Sequence, residues 1–158
     1  MSVFSRHRRL AVTSAGAVLL GVMLPAASAG AASAAPAGGT SVEVNTVTVP
    51  GVTEWYDTNL HVSPGLLAMT ASGTIAIGNG SSWGPAGNPS CTGGPGSAAV
   101  GLTCDALVAR IGTSGTPFKV GKEDAIFVAH SGELYLSIND TYFPDNSGSF
   151  HVIVIRVH

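Results

Sequence analysis

Residues 151–157 read HVIVIRV, a strongly β-branched run. Branched side chains of this kind favour β-strands. Eight or nine short runs rich in β-branched or aromatic residues occur from residue 41 onward, each bounded by Gly, Pro, Asn or Ser. Outside residues 1–29, no stretch of a dozen residues places apolar side chains at helical spacing. The pattern predicts an all-β fold, either an antiparallel β-sandwich or a jelly roll.

Two interruptions divide this series of strands. Ser72 and Gly73 favour a turn, so we expect one strand over residues 66–71 and another over residues 74–77. Residues 78–104 are rich in Gly and Pro and show almost no periodicity. We interpret them as a long loop, and long ordered loops inside compact domains are often functional.

The first 29 residues have the composition of a secretory signal peptide. Basic residues at 6–9 precede an apolar stretch at 10–25, and the small residues Ala-Ser-Ala follow at 27–29. We therefore predict cleavage, secretion and an extracellular location, with no membrane insertion once the signal is removed. An uncleaved membrane anchor is the alternative, although the apolar stretch is shorter than the ~20 residues that span a bilayer.

The rest of the chain divides into a tail and one domain. Residues 30–40 consist of Ala, Gly, Ser and Pro with one Thr, and we expect them to form a flexible tail. Residues 41–158 are long enough for one β-sandwich with a single core, and they contain no internal repeat.

The net charge restricts the partners of the protein. Cleavage removes three of the seven Lys and Arg residues and none of the nine acids, so the mature chain has four basic residues, nine acids and a net charge of −5 with His neutral. Such a surface repels phosphate groups, and we expect no nucleic-acid partner. It also offers no basic face to anionic lipid.

Two cysteines, Cys91 and Cys104, flank a Gly- and Pro-rich segment of the long loop. Because we expect the chain to be exported, we predict that they form a disulfide. Two buried thiols are the alternative. No C-x-x-C motif or Cys/His cluster points to zinc.

The densest polar cluster is the stretch 139–148, NDTYFPDNSG, which connects two expected strands. Asp140 ends one strand, and Asp145 with Asn146 precedes the next, so their side chains can converge on one point. Calcium binds about six to eight oxygens from carboxylates, amides and carbonyls, and this loop offers such oxygens without His or Cys. The spacing differs from that of an EF-hand. An ordinary Asx-rich turn is the alternative.

Three segments of the chain resemble one known family. They are residues 71–88 (ASGTIAIG…WGPAGN), 107–121 (LVARIGTSGTPFKVG) and 132–154 (GELYLSIND…DNSGSFHVIV), in the order found in the PA-I-like galactose-binding bacterial lectins. The resemblance extends over roughly residues 43–157. It implies a calcium-dependent lectin with an antiparallel jelly-roll β-sandwich of the galactose-binding-domain type, assembled as a tetramer. The expected cofactor is therefore Ca²⁺, and the expected partners are galactosides or related glycans and further copies of this chain.

The resemblance also implies a set of metal ligands. Asp140 matches the aspartate that binds both calcium and sugar in the family, and Asp145 and Asn146 match a pair of asparagines. Tyr142 and Ile77 stand where the family supplies backbone carbonyls to the metal. A carbonyl ligand survives a change of side chain, so Ile77 is compatible with this role.

The sugar side of the expected site consists of Asp140, Thr141, Asp145 and Trp83. Trp83 belongs to the W-G-P-x-G segment, where it either stacks beside the sugar or packs the long loop. The family reads the primary hydroxyl of the sugar with a His and a Gln after this segment, but here residues 89–94 read PSCTGG. The loop between the two aspartates is also two residues shorter than in the family. We therefore expect galactose or a related hexose.

Catalytic motifs are not evident in the sequence. It contains no G-x-S-x-G, H-E-x-x-H or helix-opening G-x-G-x-x-G motif. Asp140 and Asp145 in a calcium site would stay ionised and could not serve as the general acid of a glycosidase. We therefore predict that the protein is not an enzyme. The alternative to a lectin is a secreted structural β-sandwich with a calcium-stiffened loop and no sugar binding.

Overall fold

The computed structural model describes residues 39–157, so the expected signal peptide and most of the expected tail lie outside the described range. The described residues form strands and loops, and they include no helix that is long and apolar enough to cross a membrane. The nine strands are β1 (Val42–Pro50), β2 (Tyr56–Val62), β3 (Gly65–Ala76), β4 (Ser82–Trp83), β5 (Leu107–Ile111), β6 (Phe118–Lys119), β7 (Glu123–Val128), β8 (Gly132–Ile138) and β9 (Ser147–Val157).

The strands form two antiparallel sheets. The five-stranded sheet has the order β1-β9-β3-β4, and β7 pairs with the half of β3 that β4 leaves free. The four-stranded sheet has the order β2-β8-β5-β6. Two stacked antiparallel sheets bury the alternate side chains of each strand between them. The predicted all-β sandwich is therefore confirmed.

The core follows the two-residue period of the strands. On β9, Phe150, Val152 and Val154 are fully buried, whereas His151 and Ile153 are exposed. The four-stranded sheet contributes its own apolar side chains to the same core. They include Leu134, Leu136 and Ile138 of β8 and Leu107 and Ala109 of β5.

One predicted interruption is wrong. Ser72 and Gly73 do not end a strand, because β3 pairs with β9 without a break through Ser72↔His151 and Gly73↔Phe150. Gly73 has a φ of +96°, and a Cβ at this position would overlap the Ser149 carbonyl oxygen. Glycine thus lets the strand pass a close backbone approach instead of turning the chain.

The predicted long loop over residues 78–104 is present, but it contains local pairing. Trp83 in β4 pairs with Ile75, and an isolated bridge joins Thr92 to Thr103. The loop lies at the end of the sandwich where β1 finishes and β9 begins. There the Gly51 N–H donates to the Gly148 carbonyl at 3.1 Å.

Candidate functional site

Asn139 fixes the start of the loop between β8 and β9. Its Oδ1 accepts a hydrogen bond from the Ala99 N–H at 2.8 Å. Its Nδ2 donates to the carbonyls of Leu102 (3.1 Å) and Thr103 (3.0 Å). The side chain is buried, with all three bonds directed at residues 99–103. Asn139 therefore fastens the long loop to the end of β8, directly before Asp140.

Asp140 and Asn146 lie together, as the sequence predicts. The Asn146 Nδ2 donates to Asp140 Oδ2 at 2.9 Å and to the Gly51 carbonyl at 3.1 Å. The other carboxylate oxygen of Asp140 accepts from the Thr141 N–H at 2.6 Å. A hydrogen bond between two side chains thus joins the two ends of the 139–146 loop, and Asn146 also binds the residue that follows β1.

The remaining polar atom of Asn146 has no partner. Its Oδ1 is buried, and it makes no hydrogen bond within the described residues. A buried acceptor without a partner loses the hydration free energy of the unfolded state, which costs about 1–3 kcal/mol. A bound cation is one group that satisfies such an oxygen, and an amide oxygen is a ligand that calcium accepts.

Asp145 faces the turn that follows Ile77. A Cβ added at Gly78 would overlap Asp145 Oδ2, so the carboxylate lies directly against the Gly78 backbone. The Ile77 carbonyl accepts from the Gly80 N–H at 2.9 Å, which closes this turn. The structure therefore brings Asp145 next to the segment that carries the expected Ile77 carbonyl. Tyr142 lies in the same loop with 60% of its surface exposed, and the role of its carbonyl stays a prediction.

The donor groups fit a hard cation. Asp140, Asp145 and Asn146 offer carboxylate and amide oxygens, and no nitrogen or sulfur ligand belongs to the expected set. No group of three or more His, Cys, Asp or Glu residues suited to a metal occurs among residues 39–157. A metal here would thus depend on the Asn146 amide and on backbone carbonyls as well as on the two carboxylates.

A cavity of about 350 Å³ opens beside Asp140, and we name it the Asp140 cavity. Its volume is at the low end of the range for small-molecule sites. Four of the sequence-predicted site residues line it, together with both cysteines. The lining residues are Ile77, Asn79, Ser81, Trp83, Asn88, Cys91, Thr92, Gly94, Ser97, Cys104, Asp105, Asn139, Asp140 and Thr141.

The predicted disulfide between Cys91 and Cys104 is confirmed, with its Cα atoms 5.3 Å apart. The Cys104 N–H also donates to the Cys91 carbonyl at 3.1 Å, and the Gly93 N–H donates to Leu102 at 2.7 Å. The bridge and these bonds convert the Gly- and Pro-rich segment into a small closed hairpin. This hairpin forms one wall of the Asp140 cavity.

Asp105 is a site residue that the sequence analysis missed. It is 5% exposed, has a φ of +59°, and donates its N–H to the Asn139 carbonyl at 2.9 Å. Burial, and then the negative charge of Asp140, raise the pKa of the Asp105 carboxyl from 3.8 to about 6. In the sequence Asp105 follows Cys104 and stands apart from the polar cluster, so only the fold brings it to the cavity.

The position of Trp83 is compatible with both roles that the sequence left open, and its contact with sugar stays a prediction. It packs within the sheet through β4, and it also lines the Asp140 cavity. The indole Nε1 is buried and has no hydrogen-bond partner within the described residues. Buried Trp N–H groups usually find an acceptor, so this unpaired donor is unusual.

No protein-family model matches the chain, and no curated protein matches it either. Among solved structures, the chain is similar to one described as "EclA N-terminal domain; PllA-like lectin", with a TM-score of 0.54 and 23% sequence identity. The similarity covers 72% of this chain and 95% of that one. The fold is that of a lectin-like β-sandwich. At this identity the likeness concerns the fold alone, and the specific resemblance to the PA-I-like lectins stays a prediction.

Proposed function

We propose that this lectin-like sandwich is a secreted, calcium-dependent carbohydrate-binding protein whose ligand is galactose or a related hexose. The observation that carries the proposal is the unpartnered, buried Asn146 Oδ1 beside Asp140, at the edge of a polar cavity of about 350 Å³. A metal-bridged sugar site requires oxygen atoms that are free to bind a cation and an adjoining cavity for a small polar molecule.

Different residues of the chain would bind the metal and the sugar in such a site. Asp140, Asp145 and the Asn146 Oδ1 would hold the ion together with the carbonyls of Ile77 and Tyr142. A calcium ion held there supplies positive charge that anchors sugar hydroxyl oxygens. The carboxylates would accept hydrogen bonds from those hydroxyls, and Thr141 and Trp83 line the adjoining space.

Calorimetry tests the proposal directly. Galactose titrated into the mature protein should release heat with calcium present and none with excess chelator. The Asp140→Ala variant should lose this heat, because it removes the carboxylate shared by ion and sugar. Asp124→Ala, the same change on β7, is the matched control and should bind as the parent protein does. Full sugar binding by Asp140→Ala would refute the proposal.

A second function is favoured by one specific contact. The Asn146 Nδ2 bonds the Gly51 carbonyl at 3.1 Å, so a cation on Asn146 would also stiffen the junction between β1 and β9. A structural protein would use calcium in this way alone. It would show a calcium-dependent rise in melting temperature but no heat with any member of a broad glycan panel.

We also propose that the protein acts without catalysing a reaction and that several copies act together. Single small sugar sites bind weakly, and linking several of them raises the apparent affinity. Sedimentation analysis of the mature protein tests the expected self-association, and incubation with aryl glycosides tests the absence of turnover.

A further inference from the structure

We propose that the Asp140 cavity selects its sugar by charge, with Asp105 favouring hexoses that carry an amino group and disfavouring hexoses that carry a carboxylate. This inference rests on the proposed function and names the class of sugar that the site prefers. Neither residue pattern nor family resemblance pointed to Asp105.

Among the described residues, the charged ones that line the cavity are all acidic. Its lining includes two carboxylates, Asp105 and Asp140, and no Lys, Arg or His is among the described residues that line it. The Lys119 Nζ donates to Thr103 Oγ1 at 2.9 Å, but neither of these residues lines the cavity. A bound cation would compensate Asp140, which leaves Asp105 as the uncompensated charge of the cavity.

Asp105 is held in place by its backbone. Its N–H bonds the Asn139 carbonyl, its φ is +59°, and Ala106 beside it is fully buried. The residue is only 5% exposed and lines the cavity, so its carboxyl group is largely withdrawn from bulk water. Burial and the charge of Asp140 raise its pKa to about 6, which is below pH 7.

A second residue that lines the cavity, Trp83, carries an unpaired donor. Its buried Nε1–H has no acceptor among the described residues. Trp83 and Asp105 line the same cavity. Beyond the candidate metal ligands, the cavity lining therefore contains one anionic acceptor, Asp105.

The chemistry of the preferred sugar follows from the Asp105 carboxylate. An ammonium group donates hydrogen bonds to a buried carboxylate and cancels its charge, which makes the pair strong in a partly desolvated site. A sugar carboxylate would instead place two like charges together, and such contacts discriminate between ligands. A neutral hydroxyl is tolerated, since it can donate to Asp105 without a change in charge.

The test compares Asp105→Asn with the parent protein, both saturated with calcium at about pH 7, where sugar amines and carboxylates are charged. The probes are galactose, 2-amino-2-deoxygalactose, 6-amino-6-deoxygalactose and galacturonic acid, each titrated by calorimetry. The substitution should weaken at least one amino sugar by roughly tenfold and strengthen galacturonic acid by a similar factor, with galactose changing least. Asn accepts a positive φ, so the variant is expected to fold.

Glu123→Gln is the matched control, because it removes one exposed negative charge from β7, outside the cavity lining. It should leave all four affinities as in the parent protein. Identical ratios among the sugars in Asp105→Asn and in the parent would overturn the inference while galactose binding still supports the proposed function. Absence of binding by all four sugars would overturn both.

Discussion

A single carboxyl group, Asp105, couples the candidate site to the stability of the fold. Burial and the charge of Asp140 raise its pKa to about 6 in the folded protein, from 3.8. A carboxyl whose pKa is higher in the folded state binds its proton more tightly there. Its contribution to stability is therefore complete below pH 3.8 and is lost as the pH rises through about 6.

We expect Asp105→Asn to remove this loss in the calcium-free protein. A pKa difference of about two units corresponds to roughly 2–3 kcal/mol, so the variant should gain up to that amount over the parent at pH 7.5 and little at pH 3.5. Urea unfolding at the two pH values, in excess chelator, measures the difference. An equal gain at both pH values would instead assign the effect to the backbone preference of Asn for a positive φ.

At the scale of elements, the turn after β3 controls a candidate ligand. Gly78→Ala adds a methyl group where the Asp145 carboxylate lies, so Asp145 must move away from its position. We expect calcium affinity to fall by roughly tenfold or more while the sandwich stays folded, because only a loop side chain is displaced. Calcium titration with an ion-sensitive dye measures the affinity.

The control for this prediction is Gly94→Ala, where an added Cβ meets no atom within 4 Å. Calcium affinity in this variant should match that of the parent. Unchanged affinity in Gly78→Ala would mean that Asp145 is not a ligand.

The hairpin closed by Cys91 and Cys104 is a second element whose removal should affect sugar affinity but not calcium affinity. Replacing both residues with Ser removes a bridge across 13 positions and should lower the free energy of unfolding by about 3 kcal/mol. Because the hairpin forms a wall of the Asp140 cavity, sugar affinity should fall as well. Calcium affinity should persist, since Asp140, Asp145 and Asn146 belong to the opposite loop. Guanidinium unfolding and the two ligand titrations measure these quantities.

Most of the strands could be predicted from the sequence, as in β9, where buried and exposed residues alternate from Phe150 to Val154. The exception was Gly73. The turn preference of glycine predicted a break in the strand there, but eleven paired positions of β3 and β9 keep the strand continuous. Among the candidate site residues, Asp140 and Asn146 were predictable because both belong to one short polar loop. Asp105 was not, since it is 35 positions before Asp140 and only the pairing of β5 with β8 brings the two together.

At the scale of the whole molecule, the candidate site and the described chain ends lie at opposite ends of the five-stranded sheet. β1 runs from Val42, which pairs with Val157, to Pro50, which pairs with Ser149 beside the 139–146 loop. Nine strand residues span about 30 Å. A protein fused before residue 42 or after residue 157 should therefore leave calcium and sugar affinity unchanged, which titration of both fusions can check. A loss in either one would place that end near the site.

The pairing of the first strand with the last has a consequence for how the chain can be rewired. Val42 and Val157 are direct partners across the ladder, so their Cα atoms are about 5 Å apart, and a few glycines are enough to join them. New ends opened in the turn between β5 and β6 would lie outside both loops that build the candidate site. A circular permutant of this design would keep the pairing of β1 with β9 and the 139–146 loop intact. The end of the five-stranded sheet opposite the candidate site would then carry no chain terminus and could be attached to a surface.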